Sequence, residues 1–501
     1  MKLTLDLRWR QAVAARPDSP FLIFEGPDGA VSTWTYAEFD DLVSEVAGGL
    51  VEQGLRRGSS VHLALSNGPA FIACWIATAR LGAWIVPADP EVTSHELRSQ
   101  FARTRPAVGV CSTARRDVYL AADPEMPVLC VDDADVVLDG LRAGSPDWTL
   151  HEVPNGEDRA ALMFTSGTTS APKGVVITQA NYAFAGDVMS AAASLTPDDR
   201  QFVVLPLFHA NAQYYSFAAA ISVGASVALM HRFSASQFLE QAARHAVTHA
   251  SLFAAPMRMI LARANPVPGL RLRHCWYAQN LTSAQYVDFA ELVGCSPRQL
   301  YGMTETIPAV LSNRVLSPDP MALGEQTLGC VVEVQTENGT QAGPGEVGEL
   351  VVGGVRGETL FAEYLDDPRT TEESFRNGWF LTGDLAARRP DGLITFVGRR
   401  GDVLKVAGEN VSVVEVETVL AEHPSVLEVA VVGEADPIRD VVPVAHVVRA
   451  GDVDADELLA WCAERLAKSK RPRRIIWAES LPRTSVGKIR RFELNPPRND
   501  N

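Results

Sequence analysis

The 501-residue chain has no basic excess: 45 Lys and Arg stand against 61 Asp and Glu, a formal net charge of −16. Nucleic acid and anionic membranes both select basic faces, so neither is expected as a partner. Paired cysteines are also missing. Seven stand singly, at 74, 111, 130, 275, 295, 330 and 462, with no C-x-x-C among them. That argues against a zinc site or a disulfide frame and for reduced thiols in a cytosol. The N-terminal "MKLTLDLRWRQAVAARPDSPF" has no uninterrupted apolar region, so no secretory leader is expected. The most membrane-like stretch, "FIACWIATARLGAWIVPA" at 71–88, carries Arg80 in its middle and ends at Pro87. It predicts a buried helix running into a strand rather than a span. Repeats and low-complexity tracts are lacking too. A cytoplasmic location is the expectation.

What is present is apolar content: 47% hydrophobic residues, ample for large cores, over a length that fits roughly two to four domains. From about 35 to 310, segments of helical period such as "YAEFDDLVSEVAGGLVEQG" alternate with short β-rich runs such as "SVHLAL". This predicts an α/β fold with mainly parallel sheet. Near 330 the pattern changes: "ENGT", "GPGE" and "RPDG" separate strand-like runs, which are hairpin signals. A last α+β unit begins at "GRRGD", 398–402. In it, Ser412 to Glu415 has capping-box spacing before a helix ended by Pro424, "VLEVAVVG" and "PVAHVV" read as strands, and "DELLAWCAERLA" reads as a second helix. The expected division is 1–400 and 401–501.

The segment "TSGTTSAPKG", 165–174, comes close to a P-loop, G-x-x-x-x-G-K-[ST]. Gly167 and Lys173 have that spacing, but Pro172 replaces the second glycine and Gly174 follows the lysine. Its flanks, "ALMFTSG" and "GVVIT", read as strands, so no helix N-terminus faces the loop. Two readings remain open for it alone: a polar surface turn, or a hairpin-like loop dense in N–H and O–H donors that wraps a polyphosphate. Four more segments follow: "YGMTE" at 301–305, "GWFLTGD" at 378–384, "GRRGDVLKVAGENVS" at 398–412 and "LPRTSVGKIRR" at 481–491. Singly, each also reads as a strand end, a turn or a basic tail.

Together and in this order, the five segments resemble the signature motifs of the adenylate-forming superfamily, which contains acyl-CoA synthetases, free-standing adenylation domains and luciferases. The resemblance covers essentially the whole chain. It is strongest in the acyl-CoA synthetase branch, where "GGVRGETLFAEYLDDP" and "GEADPIRDVVPVAHVV" are similar to crotonobetaine/carnitine–CoA ligases and their relatives. It implies a large N-terminal α/β domain with several β-sheets, binding ATP and acid, and a small mobile α+β C-terminal domain. The implied chemistry is acid–thiol ligation: a carboxylate takes the α-phosphate of ATP and expels pyrophosphate, and a thiol then attacks the acyl-adenylate. The implied partners are a small carboxylic acid, ATP, Mg²⁺ and CoA. The oligomeric state stays open, a homodimer included.

By resemblance, Thr165, Ser166, Gly167, Thr168, Thr169 and Lys173 hold the β- and γ-phosphates. Tyr301 stacks on adenine, Thr304 binds the α-phosphate, and Glu305 helps hold Mg²⁺, a hard cation suited to one carboxylate plus phosphates. Asp384 takes the ribose hydroxyls and Arg399 adds a ribose contact. Lys488 bridges the attacking carboxylate and the α-phosphate. His209 sits at the mouth of the acyl pocket, which Tyr214 and Trp276 border, although a lone histidine is also commonly a satisfied core residue. The segment 203–222 carries no acidic or basic side chain apart from His209 and offers Phe208, Tyr214, Tyr215 and Phe217. Such a lining suits a hydrophobic or aromatic acid and also admits a quaternary ammonium by cation–π contact.

The pair His245 and His249 lacks a third ligand and reads as ordinary helix surface. The basic run "KSKRPRR", 468–474, reads either as helix-end cations or, slightly preferred, as a partner for CoA phosphates. The second enzyme reading is a free-standing adenylation domain loading a carrier-protein thiol. Against it, amino-acid-activating relatives place an Asp about where His209 stands. A luciferase-like oxidase is more distant. A P-loop motor fails on the missing Gly and Ser/Thr, and a binding-only relative fits poorly with Lys173, Glu305, Asp384 and Lys488 all present. Two departures stand out: Ser170 replaces the loop's usual glycine, and Gly401 stands at the family hinge, commonly Asp or Lys. Glycine loosens φ/ψ there and leaves rotation free. Gly401→Pro is expected to keep ATP–pyrophosphate exchange and to lose thioester formation, measured as two separate half-reactions. Equal survival of both would remove the hinge from 401.

Overall fold

The computed structural model describes residues 2–132, 135–165, 172–400, 403–406, 409–436, 440–483 and 489–494. Among these, the strands form four sheets. The first has seven strands. Its parallel part runs from Arg159–Thr165 through Trp84–Pro87, Ser60–Ala64 and Val108–Ser112 to Val128–Val131, and Lys173–Thr178 and Glu363–Tyr364 join antiparallel at one edge. The second has nine strands and is parallel from Arg298–Tyr301 to Pro20–Glu25. The third, built around Val347–Gly353 and Trp379–Arg388, is antiparallel, as the turn signals after 330 predict. The fourth packs the helices Val413–Ala421 and Ala455–Arg465 around a separate cluster that includes Val411, Val416, Val431, Val447 and Leu458.

Local sequence explains most of these elements. The helix Tyr36–Glu52 starts at a reciprocal cap: Glu38 N–H donates to Thr35 Oγ1 at 3.2 Å, and Thr35 N–H donates to Glu38 Oε2 at 2.7 Å. The apolar stretch at 71–88 is a buried helix, Pro69–Arg80, feeding the strand Trp84–Pro87. Its charge, Arg80, ends the helix and donates to Asp40 at 3.0 Å. No helix among the described residues is long and apolar enough to cross a membrane. All seven cysteines are free.

One expectation is corrected. His245 and His249 are not helix surface: both are buried. The helix Phe238–Arg244 stops early, the chain turns at Ala246 with φ +48°, and His249 opens the strand His249–Phe253. The cause lies far away in sequence. The buried Glu25 carboxylate receives Gln241 at 2.9 Å, Arg244 at 2.8 Å and His245 at 2.7 Å. Donors of this kind are what a buried carboxylate requires.

A second buried carboxylate, Asp199, joins the turn before Arg200–Val203 to the segment before His274. It accepts from Thr196 N–H at 2.8 Å, from Thr196 Oγ1 at 2.7 Å and from Arg273. Burial alone would raise its pKa, but Arg273, Thr196 and Thr248 outweigh it and hold it down to about 2. The ionised form is therefore favoured in the folded state. Its contribution is complete above the ordinary value of 3.8 and is lost as pH falls through about 2. Asp199→Asn is expected to destabilise the protein by about 1–3 kcal/mol at pH 7. The difference from the unsubstituted protein should shrink from pH 4 downward in urea denaturation. A pH-independent difference would contradict this.

Candidate active site

Three of the sheets meet at one seam. Tyr301 ends the strand Arg298–Tyr301 at the carboxyl edge of the nine-stranded sheet, where open parallel sheets commonly bind ligands. Its hydroxyl donates to Asp384 Oδ2 at 2.6 Å, across to the strand Trp379–Arg388 of the antiparallel sheet. Arg399, paired in register with Asp384, donates Nε–H to Oδ1 at 2.9 Å. Asp384 is buried, and burial together with the carboxylate pushes the Tyr301 phenol well above its ordinary value, so it remains the donor. Gly302 permits the close approach. A Cβ there would stand 2.8 Å from the Tyr215 hydroxyl and 2.9 Å from the Pro308 carbonyl oxygen. Gly383, at φ +74°, lies inside the strand Trp379–Arg388 where its pairing with Val347–Gly353 shifts register, a bulge just before Asp384.

Glu305 follows, in the short 3₁₀ turn Thr304–Thr306, with Thr304 half-buried at its start. Its carboxylate accepts the Tyr364 hydroxyl at 3.0 Å and its backbone oxygen accepts Phe361 N–H at 2.9 Å, tying it to the seven-stranded sheet. Burial raises its pKa, with its own backbone amide, Tyr364 and Lys173 acting the other way. Ile307, which closes this turn, is buried at φ +71°, ψ −80°. That γ-turn geometry is strained for a β-branched residue, and such strain gathers at functional sites. Gln279, just past the neighbouring strand His274–Ala278, also has positive φ, +73°.

The strands flanking the 165–174 loop pair antiparallel, Thr165 opposite Lys173, as the sequence predicts. Lys173 Nζ lies 4.6 Å from the centre of the Tyr364 ring. Arg103 donates to the Pro172 carbonyl at 2.6 Å, and its guanidinium lies 5.0 Å over the Phe164 ring. It thus ties one end of the loop to the other. Sequence reasoning missed both Tyr364 and Arg103. Tyr364 lies inside "FAEYLDDP", where spacing does not mark it, and Arg103 reads as an ordinary solvated helix cation.

Ser166, Gly167, Thr168, Thr169, Ser170, Gly401 and Lys488 lie outside the described residues. His209 is half-buried, with its ring 4.2 Å from that of Phe208, and precedes a π-helical segment, Asn211–Ala218. Tyr214, Tyr215 and Phe217 sit in the main core, Tyr214 with its ring 5.5 Å from Tyr182 and its hydroxyl 3.9 Å from the Met163 sulfur. Trp276 is buried beneath the Arg298 guanidinium, 4.5 Å from the ring centre, with His274 meeting it edgewise at 4.3 Å. In the basic run, Lys470 pairs with Glu415 at 2.7 Å, Arg473 with Asp436 and Arg474 with Glu434, while Arg471 donates to the Leu466 carbonyl. These pairs lie within the small unit itself.

The family model described as AMP-binding enzyme matches residues 9–365, and that described as AMP-binding enzyme C-terminal domain matches 415–488. The chain belongs to the AMP-binding enzyme family. Crotonobetaine/carnitine–CoA ligase of Salmonella arizonae is 32% identical to it over 499 residues, 96% of each protein. ATP-bound MatB from Rhodopseudomonas palustris aligns with a TM-score of 0.88 and 26% identity, over 99% of this chain and 98% of that one. MenE from Bacillus subtilis, an o-succinylbenzoate CoA synthetase in complex with its acyl-adenylate intermediate, aligns with a TM-score of 0.86 and 27% identity over 99% of both. Like its relatives, this AMP-binding enzyme has a large N-terminal part and a small C-terminal one.

Because Tyr301 and Asp384 come from different sheets, their hydrogen bond should carry energy between them. A double-mutant cycle of Tyr301→Phe and Asp384→Ala, read by urea denaturation, is expected to give a coupling of about 1–3 kcal/mol. Additive effects would mean that the contact is not formed in solution.

Proposed function

We propose that the protein is an ATP-dependent carboxylic acid–CoA ligase that forms AMP through an acyl-adenylate. The observation that carries this reading is the convergence, at one seam, of two buried carboxylates and a lysine: Asp384 beside Tyr301 and Arg399, and Glu305 beside Lys173. The family match and the CoA-ligase relatives support it.

A carboxylate oxygen attacks the α-phosphorus of ATP, and the bond to the bridging oxygen breaks, releasing pyrophosphate. The thiol sulfur of CoA then attacks the acyl carbon, loses its proton, and AMP leaves. In the first step two anions must approach, so the protein acts mainly by positioning and neutralising them. Residues 165–169 and Lys173 take the β- and γ-phosphates, and Thr304 takes the α-phosphate. The Tyr301 ring packs on adenine, while Asp384 accepts from the ribose hydroxyls through the lone pairs that Tyr301 and Arg399 leave on its oxygens. Glu305 suits magnesium as one hard oxygen donor. No group of three metal-ligating side chains lies among the described residues, so phosphate and water oxygens would complete the shell. Bound there, the ion neutralises phosphate charge. Lys488 bridges the attacking carboxylate and the α-phosphate, and rotation of 401–501 about Gly401 separates the half-reactions.

The acid in this reading is hydrophobic or aromatic. His209 stands at the pocket mouth, and no acidic side chain lies in 203–222. Arg298 already covers one face of Trp276, which removes that face from a cationic substrate. The protein works in the cytoplasm.

The test is a panel of acids with ATP and Mg²⁺, with and without CoA. AMP release that needs both an acid and CoA is the expected result. Release needing a carrier protein in place of CoA would overturn the acceptor. With the acid so found, Lys488→Ala should lose adenylate formation by about 10²-fold or more yet still convert supplied acyl-adenylate to thioester. Equal loss of both steps would remove Lys488 from the reacting centre.

A further inference from the structure

Tyr364 touches Lys173 and Glu305 with different parts of one side chain. Its ring face carries the Lys173 ammonium at 4.6 Å, and its hydroxyl donates to Glu305 Oε1 at 3.0 Å. The side chain itself is fixed from several directions. It is buried, its ring centre lies 4.8 Å from that of Phe361, and Phe361 lies 5.4 Å from Phe380. Its backbone N–H donates to Thr371 Oγ1 at 2.9 Å, and its strand pairs with the lysine's own strand, Tyr364 opposite Val175. The same segment is tied to the backbone at Glu305 and next to Lys173: Leu365 N–H donates to the Gly174 carbonyl at 2.8 Å, and Phe361 N–H to the Glu305 carbonyl at 2.9 Å.

This arrangement solves a local problem. An ammonium and a carboxylate close together would pair and neutralise each other, leaving neither for a phosphate or a metal. Lys173 is near enough for its charge to act on Glu305. Even so, the ammonium rests on an aromatic face, a contact weak enough to be exchanged for phosphate oxygens. The carboxylate is held by neutral donors, its own backbone amide and the Tyr364 hydroxyl, which restrain it without cancelling its charge.

We propose that Tyr364 is a positioning residue that holds Lys173 through its ring and Glu305 through its hydroxyl, keeping cation and carboxylate apart until ATP and magnesium arrive. This rests on the roles assigned to those two residues above. Two substitutions separate the two arms: Tyr364→Phe keeps the ring and removes the hydroxyl, and Tyr364→Leu removes both.

The experiment is calorimetric titration of the full chain with ATP, once in EDTA and once in saturating MgCl₂, so no acid is needed. Tyr364→Phe should bind ATP in EDTA within about twofold of the unsubstituted protein and lose about tenfold of the gain that Mg²⁺ adds, the size of one hydrogen bond to a charged group. Tyr364→Leu should also weaken binding in EDTA, by about threefold to tenfold. Glu305→Gln and Lys173→Ala are run beside them. If Glu305→Gln loses the Mg²⁺ gain while Tyr364→Phe keeps it, the hydroxyl arm is overturned. If Lys173→Ala weakens binding in EDTA while Tyr364→Leu does not, the ring arm is overturned. If both Glu305→Gln and Lys173→Ala bind ATP as the unsubstituted protein does, the roles of those two residues fall first, and the proposal with them.

Discussion

Two buried carboxylates, each held by the hydroxyl of a tyrosine from another sheet, fix the geometry of the site. Burying a carboxylate without donors costs several kcal/mol, so each must bring its partner with it. Asp384 draws in Tyr301 and Arg399, and Glu305 draws in Tyr364. The first pair joins the antiparallel sheet to the nine-stranded one, and the second joins the turn after the nine-stranded sheet's Arg298–Tyr301 strand to the seven-stranded one. The seam where the three sheets meet is therefore also where the polar groups are, and the two requirements are satisfied by the same contacts.

The surroundings follow from that constraint. Gly302 is small because the chain between Tyr301 and Glu305 passes close to the Tyr215 hydroxyl and the Pro308 carbonyl. Ile307 takes a strained backbone two residues after Glu305, and the burial of its side chain helps hold it there. On the other side, Arg103 anchors the exit of the 165–174 loop to its entry, so the loop is tethered at both ends by groups outside it.

Much of this was legible in the sequence, and the parts that were share a cause: they depend on neighbours along the chain. The strands around 165–174, the helix that begins at Tyr36, the helix-to-strand passage at 69–87 and the shift to antiparallel pairing after 330 all follow from local patterning. The five motif segments likewise name Tyr301, Glu305, Asp384 and Arg399, which the fold then gathers. What the sequence hides is set by contacts from afar. His245 is buried because Glu25 lies beside it, Lys470, Arg473 and Arg474 meet Glu415, Asp436 and Glu434, and Tyr364 matters only because two motifs converge on it. Tyr214, Tyr215 and Phe217 are buried in the main core cluster, and which neighbours they meet there is set by the fold rather than by hydrophobicity alone.

The central claim is that this seam is the nucleotide site, and the most direct measurement is a crystal structure with ATP and Mg²⁺ bound. The account predicts adenine packed against the Tyr301 ring and ribose hydroxyls on Asp384. It also predicts the terminal phosphates at Lys173, whose ammonium has left the Tyr364 ring, and the metal at Glu305. ATP bound elsewhere, with Lys173 still resting on Tyr364, would contradict it.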